Sequence, residues 1–249
     1  MYLAIAVIVF VLSGVLAMAG VGAAFLLVPL FYWLGVPLDV ATSTALLLNV
    51  VSLSFASATY WRAGLVNLAL GVPIMIAAVV LAPVGARVSP HVDKDVLLGL
   101  FAAFLVFAGA MMMFYRRKAG TRGWARRTEL AVGVGVGSVA GFLGGLLGVG
   151  GGNIVLPALN GAGLEAKVAA GTTGLVVVFS SLSGFLGRIS MGDLDGVLVG
   201  VSAVAAAGGS LVGSRLMTSR ISNAQLKRLI AVVLWVVAAK IVWDLTTGG

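Results

Sequence analysis

The chain has 249 residues, of which 61% are hydrophobic and only 10% are charged. Soluble domains are about 45–50% apolar and about 25% charged, so this composition excludes a water-soluble fold and indicates a membrane protein. The absence of cysteine excludes disulfides, iron–sulfur clusters and thiol redox relays. The formal net charge of +8 does not indicate nucleic acid, because basic residues of membrane proteins collect in cytoplasmic loops.

Ten apolar segments follow one another along the chain and predict an all-α, polytopic bundle of transmembrane helices. Helices satisfy their own backbone hydrogen bonds in lipid, and the long segments lack the alternation of barrel strands. A basic linker, residues 116–127, separates the two halves of the chain, residues 1–115 and 128–249. The segments are residues 3–19, 23–34, 40–60, 65–86 and 96–115 in the first half, and 130–147, 153–162, 168–186, 194–216 and 226–242 in the second.

The two halves are predicted to be copies of one unit. Gly20-Val21-Gly22 with Pro29 recurs as Gly148-Val149-Gly150 with Pro157, at an offset of 128 residues. Chance similarity would not keep the glycines, the hydroxyl residues and an arginine in one register, so we predict a duplication. Further pairs at the same offset are Gly35 with Gly163, Thr44 with Thr172, Ser52 with Ser180, Gly64 with Gly192, and Arg87 with Arg215.

The second segment of each copy is too short to span a bilayer comfortably. About 12 residues at 1.5 Å per residue cover roughly 18 Å. The first two segments therefore form either one broken helix that crosses once or a re-entrant hairpin that returns to its starting side. The positive-inside rule favours the hairpin, which puts twelve of the sixteen basic residues on the linker side, against nine for a single crossing.

With hairpins and three spanning helices in each copy, the linker is cytoplasmic, both termini are outside, and the second copy is inverted. Inverted repeats are typical of secondary transporters, which bind their substrates near the membrane midplane. This arrangement predicts that Lys167 and Arg188 lie on opposite sides of the membrane.

The glycine clusters are the leading candidates for a binding site. Consecutive glycines release the backbone from helix geometry, and a helix that starts after them presents unpaired N–H groups and a positive dipole end. Two such ends, from inverted copies, would meet near the midplane and bind an oxyanion. The alternative is close helix packing, which we expect for Gly133, Gly135 and Gly137. The candidates at the breaks are Gly20, Gly22, Ala23, Gly150, Gly151, Gly152 and Asn153.

The doubled, glycine-rich and proline-ended segment resembles the TauE/SafE sulfite exporter family. The resemblance covers nearly the whole chain and rests on residues 148–152 with Pro157, on their echo at residues 20–29, and on the Val-Ala-x-x-Thr runs. The first copy departs from the fuller pattern, because Ala23 and Ala24 stand where the second copy has glycines. The resemblance implies membrane transport of sulfite or small organosulfonates.

The third segment of each copy carries hydroxyl and amide side chains, which are costly inside membrane helices and mark substrate pathways. They suit the three oxygens of a sulfonate, although serine and threonine also bond back to their own helix. Arg62 and Arg188, at the ends of these segments, either attract the anion at two entrances or anchor the helix ends by snorkelling. The predicted substrate-binding residues here are Thr44, Asn49, Ser52, Thr172 and Ser180.

No Asp or Glu lies well inside an apolar segment, so no carboxylate relay for protons or sodium is visible. Transport could still be coupled to an ion or proton through a protonated substrate or through backbone carbonyls at the broken helices. Simple facilitated diffusion is also left open. We expect an inner-membrane secondary transporter that works by alternating access, without a cofactor, metal or nucleic-acid partner, and a homo-oligomer is left open. An anion channel is the alternative. A membrane enzyme is disfavoured, because the sequence offers no histidine cluster, carboxylate pair or cysteine.

Overall fold

The computed structural model describes residues 2–114, 126–188 and 196–219, and part of the segment 222–243. Within these residues every regular element is a helix, as predicted. The helices are α1 (Tyr2–Met18), α2 (Ala24–Trp33), α3 (Leu38–Arg62), α4 (Leu68–Val88), α5 (Lys94–Phe114), α6 (Arg126–Leu147), α7 (Gly152–Gly161), α8 (Ala166–Arg188) and α9 (Gly196–Ser219), with a 3-10 turn (Ser89–His91) between α4 and α5.

The first nine predicted segments correspond to α1–α9, with ends that differ by a few residues. Arg126 and Arg127 were predicted to belong to the linker but begin α6. The rest of the linker lies outside the described residues. The tenth segment is described only in part, and its described residues between 225 and 243 are helical.

Among the described residues, five helices are long and apolar enough to cross a membrane: α3, α4, α6, α8 and α9. Their outer faces carry exposed apolar side chains, among them Ile76, Val80 and Val204. A water-soluble protein rarely exposes so much contiguous apolar surface, whereas lipid tails cover it without cost. The chain is therefore a multi-pass membrane protein.

The matched helices α3 and α8 pack together at the centre of the bundle and run in opposite directions. Asn49 in the middle of α3 donates to Ser181 of α8 at 3.2 Å. Near the end of α3, Tyr60 lies against Gly171, which is near the start of α8. An antiparallel pair is the relation that two inverted copies require.

Around this pair, α6 packs along α4 and α1 packs along α9, so each half packs mainly against the other. Glycines at both contacts let the backbones touch. A Cβ on Gly145 would lie 2.0 Å from the carbonyl oxygen of Ala82, and one on Gly213 would lie 1.9 Å from that of Gly14. In lipid, close backbone packing of this kind stabilises helix pairs.

The predicted packing role of the α6 glycines is confirmed for two of the three. Gly133 lies against Pro73, and Gly137 lies against Ile74. Gly135 was wrongly assigned, because a Cβ there would meet no atom of the described residues within 4 Å. Successive helix positions are about 100° apart, so neighbouring glycines face different surroundings.

Each glycine cluster reverses the direction of the chain, so the hairpin alternative is the one that the structure adopts. α6 and α8 both run parallel to α4, and the short α7 that joins them must run back. α2 also runs back toward the start of α3, because Ala24 lies beside Asn49 while Val28 shares a cavity with Leu38. The contacts that set the directions around α4 are Ile74 with Gly137, Ala82 with Gly145, Asn67 with Thr172, and Val79 with Ser183.

We expect Gly141→Ala to destabilise the protein. The new methyl group would lie 2.4 Å from the carbonyl oxygen of Ala78, and that backbone cannot move without displacing α4. Overpacking of this kind costs about 1–3 kcal/mol. Thermal unfolding in detergent should show a lower Tm.

Gly135→Ala is the matched control on the same helix, because its methyl group would meet nothing within 4 Å in the described part of the chain. A helical alanine gains about 0.5–1 kcal/mol over glycine, so Tm should stay equal or rise. Equal Tm values for the two variants would contradict the close contact at Gly141.

Candidate functional site

Both glycine clusters interrupt their helices, as predicted. Residues 19–23 separate α1 from α2, and residues 148–151 separate α6 from α7. The backbone at both breaks enters the left-handed region, which glycine adopts without steric cost. The glycines with φ between 66° and 80° are Gly20 and Gly22 in the first break, and Gly148, Gly150 and Gly151 in the second.

The short helices α2 and α7 begin with the same hydrogen-bond pattern. The first amides of each helix make no intrahelical hydrogen bond, and they lie at the positive end of the helix dipole. In α2, Leu26 and Leu27 donate to the carbonyl of Ala23, and in α7, Ile154 and Val155 donate to that of Gly151.

Asn49 joins the two breaks at the centre of the bundle, where it is fully buried. Its Oδ1 accepts from the amide of Ala24 at 3.3 Å, and its Nδ2 donates to Ser181. Its side chain also lies against Gly22 and Gly150, where a Cβ would come within 3 Å of it. The amide side chain that the sequence singled out therefore lies at the start of α2 and beside the second break.

Three other predicted residues lie close to this centre. Ser180 is satisfied, because its Oγ donates to the carbonyl of Gly150 at 2.9 Å. The Oγ of its matched residue Ser52 and the Oδ1 of Asn153 are buried and have no hydrogen-bond partner among the described residues. A buried unsatisfied polar group costs about 1–3 kcal/mol, so these atoms favour a polar occupant at the centre.

The centre is packed closed in this conformation. A Cβ on Gly152 would lie 2.8 Å from the carbonyl oxygen of Val21, so the two breaks touch. A Cβ on Gly20 would come still closer to the carbonyl oxygen of Ala170. The starts of α2 and α7 are therefore covered by close backbone packing in this conformation.

Thr172 and Thr44 were predicted to belong to this site but have other surroundings. Thr172 Oγ1 accepts from the amide of Asn67 at 2.9 Å and donates to Val168, so it joins α8 to the start of α4. Thr44 is buried in α3, and the described contacts of the breaks do not include it.

A cavity of about 330 Å³ lies at one end of the bundle, where α3 begins and α8 ends. Ligand pockets start at about 300 Å³, so the cavity suits a small molecule. Its polar lining consists of Asp39, Thr42, Ser89 and Arg188. Most of the wall is apolar and includes Val28, Leu38, Val92, Leu97, Leu147 and Ile241.

Arg188 lies in the wall of this cavity and is only 2% exposed, which excludes snorkelling. Its Nη2 donates to the carbonyls of Gly145 and Leu146, both at 2.8 Å, in the last turn of α6. Its Nε is buried and has no partner in the described part of the chain. A guanidinium has five N–H donors, so this one keeps capacity to bind an oxyanion.

The two predicted entrance arginines therefore differ. Arg62 is exposed at the end of α3, and an entrance role for it stays a prediction. Arg188 is buried in the wall of the cavity at one end of the bundle, and an entrance role for it also stays a prediction.

Sequence reasoning missed Asp39 and Thr42 as cavity residues. Asp39 faces the same cavity as Arg188 and acts on it electrostatically. The sequence did offer one indication of Asp39: its matched residue at the offset of 128 is Lys167, which carries the opposite charge.

We expect Gly22→Ala to disrupt the centre, because the methyl group would lie 2.0 Å from Asn49 Oδ1. Loss of the Asn49 contacts should add about 1–3 kcal/mol to the cost of backbone strain. Gly35→Ala is the control, since its φ of 84° gives the same strain while no described atom lies within 4 Å of the new methyl group. The fall in Tm should be larger for Gly22→Ala, and equal falls would argue against a packed centre.

The comparison with known families agrees with this geometry. The family model described as "Sulfite exporter TauE/SafE" matches residues 5–241, which include both hairpins, both breaks and the cavity. No curated protein and no solved structure matches the chain. Members of the matched family are membrane transporters, not enzymes. A match over nearly the whole length shows that the chain belongs to the TauE/SafE sulfite exporter family of membrane transporters.

Proposed function

We propose that the protein is a secondary transporter that moves sulfite or an organosulfonate across the inner membrane by alternating access. The family supports a membrane transporter of sulfur anions. The observation that carries the proposal is Arg188, a buried cation in the wall of a cavity, whose Nε has no hydrogen-bond partner among the described residues. An oxyanion in this cavity would gain charge-assisted hydrogen bonds, which are about twice as strong as neutral ones.

The cavity wall favours an organosulfonate over sulfite. Sulfite is polar on every side and would leave oxygens facing Val28, Leu97 and Leu147. A sulfonate directs its oxygens to Arg188 and places a short apolar tail against that wall.

The proposed path leads from the cavity to the centre past the α6–α7 turn. Thr42 lines the cavity and lies against Gly148, where a Cβ would come within 2.6 Å of it. Separation of the hairpins would bring the anion to the first amides of α2 and α7 and to the unpaired hydroxyl of Ser52. Helix starts of this kind bind anions in many proteins.

The antiparallel contact of α3 and α8 supports the inverted arrangement of the two copies. The cavity lies on the same side as the Ser89–His91 turn, opposite the end of α3 at Arg62. With the linker in the cytoplasm, this side faces outside. The described conformation is therefore proposed to be open toward the outside.

Arg188→Gln should reduce uptake of benzenesulfonate into liposomes that contain the purified protein. Charged hydrogen bonds contribute about 1.5–3 kcal/mol, which corresponds to a roughly 10- to 100-fold higher half-saturation concentration. Arg87→Gln is the matched control, because Arg87 is an exposed arginine near the same end of the bundle and does not line the cavity.

Wild-type protein that moves neither sulfite nor any of a panel of sulfonates would sink the proposal. A channel would instead give ionic conductance across a planar bilayer and flux that does not saturate.

The proposed topology can be tested on single cysteines, because the wild-type chain contains none. An impermeant maleimide added to intact cells should label Arg87→Cys, while Arg62→Cys and Arg215→Cys should react only after the cells are opened. All three side chains are exposed. Labelling of Arg215→Cys together with Arg87→Cys would contradict the inverted hairpin arrangement.

A further inference from the structure

We propose that Arg188 is also the latch of the α6–α7 hairpin, and that an anion bound in the cavity releases it. The guanidinium would then couple occupancy of the cavity to movement of the hairpin. This inference rests on the proposed function, because it takes the transported anion as the releasing ligand.

The latch is the pair of hydrogen bonds from Arg188 Nη2 to Gly145 and Leu146. These carbonyls belong to the last turn of α6, where a helix has no amide of its own to donate to them. A cation at this end also interacts favourably with the helix dipole. The bonds therefore tie the tip of the hairpin to the end of α8.

The first half has the same latch with different chemistry. Tyr60 matches Arg188 at the offset of 128, and Ala17 matches Gly145. The hydroxyl of Tyr60 donates to the carbonyl of Ala17, in the last turn of α1. A phenol has one donor, and that donor is used, so Tyr60 can hold its hairpin but cannot also donate to an anion.

In Arg188, bidentate binding of an anion competes with the hydrogen bonds to the α6 carbonyls. Two of its five N–H donors bind carbonyls, and bidentate binding of an oxyanion needs two parallel donors. A bidentate pair that includes Nη2 draws it away from α6. An ionised oxyanion is a stronger acceptor than a peptide carbonyl, so the anion wins the shared donor.

Release of the carbonyls loosens the turn that follows them. The amides of Val149 and Gly150 both donate to the carbonyl of Gly144, one residue before the latched pair. Their hydrogen exchange therefore reports whether the turn is held. Local opening raises exchange in proportion to the population of the open state.

The experiment is hydrogen–deuterium exchange of the full chain in lipid nanodiscs, with benzenesulfonate as the probe. In wild-type protein, saturating benzenesulfonate should speed exchange of peptides that cover residues 144–152 by several-fold, whereas ordinary ligand binding slows exchange. Peptides that cover residues 16–24, held by Tyr60, should not speed up.

Two variants test the latch without any ligand. Arg188→Ala removes it and should speed exchange of residues 144–152 several-fold. Arg188→Tyr copies the residue of the first half and should keep exchange near the wild-type rate, with no response to benzenesulfonate. Arg87→Gln should behave as wild type. If Arg188→Ala fails to fold, Arg188→Tyr and the wild-type response still decide the question.

The outcomes separate the two proposals when benzenesulfonate binding is followed in parallel by calorimetry. Binding that slows exchange at residues 144–152, or leaves it unchanged, would overturn the latch and keep the transport proposal. Equal ligand-free exchange in wild type and Arg188→Ala would also overturn the latch. Absence of binding by sulfite and every sulfonate would overturn the proposed function and release by an anion together.

Discussion

A chain that interrupts a helix inside a membrane must satisfy the freed backbone groups within the protein, because lipid offers no hydrogen bonds. Each break leaves carbonyls at the end of one helix and amides at the start of the next. Tyr60 and Arg188 hold the carbonyls, Asn49 accepts from the amide that opens α2, and Ser180 donates to a carbonyl inside the second break. All four side chains belong to α3 or α8. The antiparallel central pair is therefore what allows both breaks to exist.

The central pair also shows how matched positions can keep a geometry and change its chemistry. Arg188 matches Tyr60, and both hold the last turn of a hairpin helix. Asn49, by contrast, is matched by Val177, which has no polar atom to offer the second break. The two breaks thus share one amide side chain, and one buried cation lies at the end of the helix that precedes the second break.

Local patterns predicted the helices, the breaks and the central asparagine. Short apolar segments and glycine clusters fix chain reversals within about ten residues, and polar residues in apolar helices stand out without a structure. The burial of Arg188 was not predictable, because it depends on carbonyls more than 40 residues away. The same holds for Thr172, whose hydroxyl accepts from an amide 105 residues distant. Burial and capping set by such long-range contacts leave no local trace in the sequence.

In the proposed transporter, the charge reversal between Asp39 and Lys167 would have a kinetic consequence. These matched residues begin α3 and α8, which run in opposite directions, so a carboxylate lies near one face of the bundle and an ammonium group near the other. An uncoupled carrier cannot concentrate its cargo, so the quotient of maximal velocity and half-saturation constant must be the same for influx and efflux when no voltage is applied. The two constants in that quotient can still differ strongly between directions. In the proposed transporter, unequal charges at the two faces would therefore let influx and efflux saturate at different concentrations, even if no coupling ion drives the net direction.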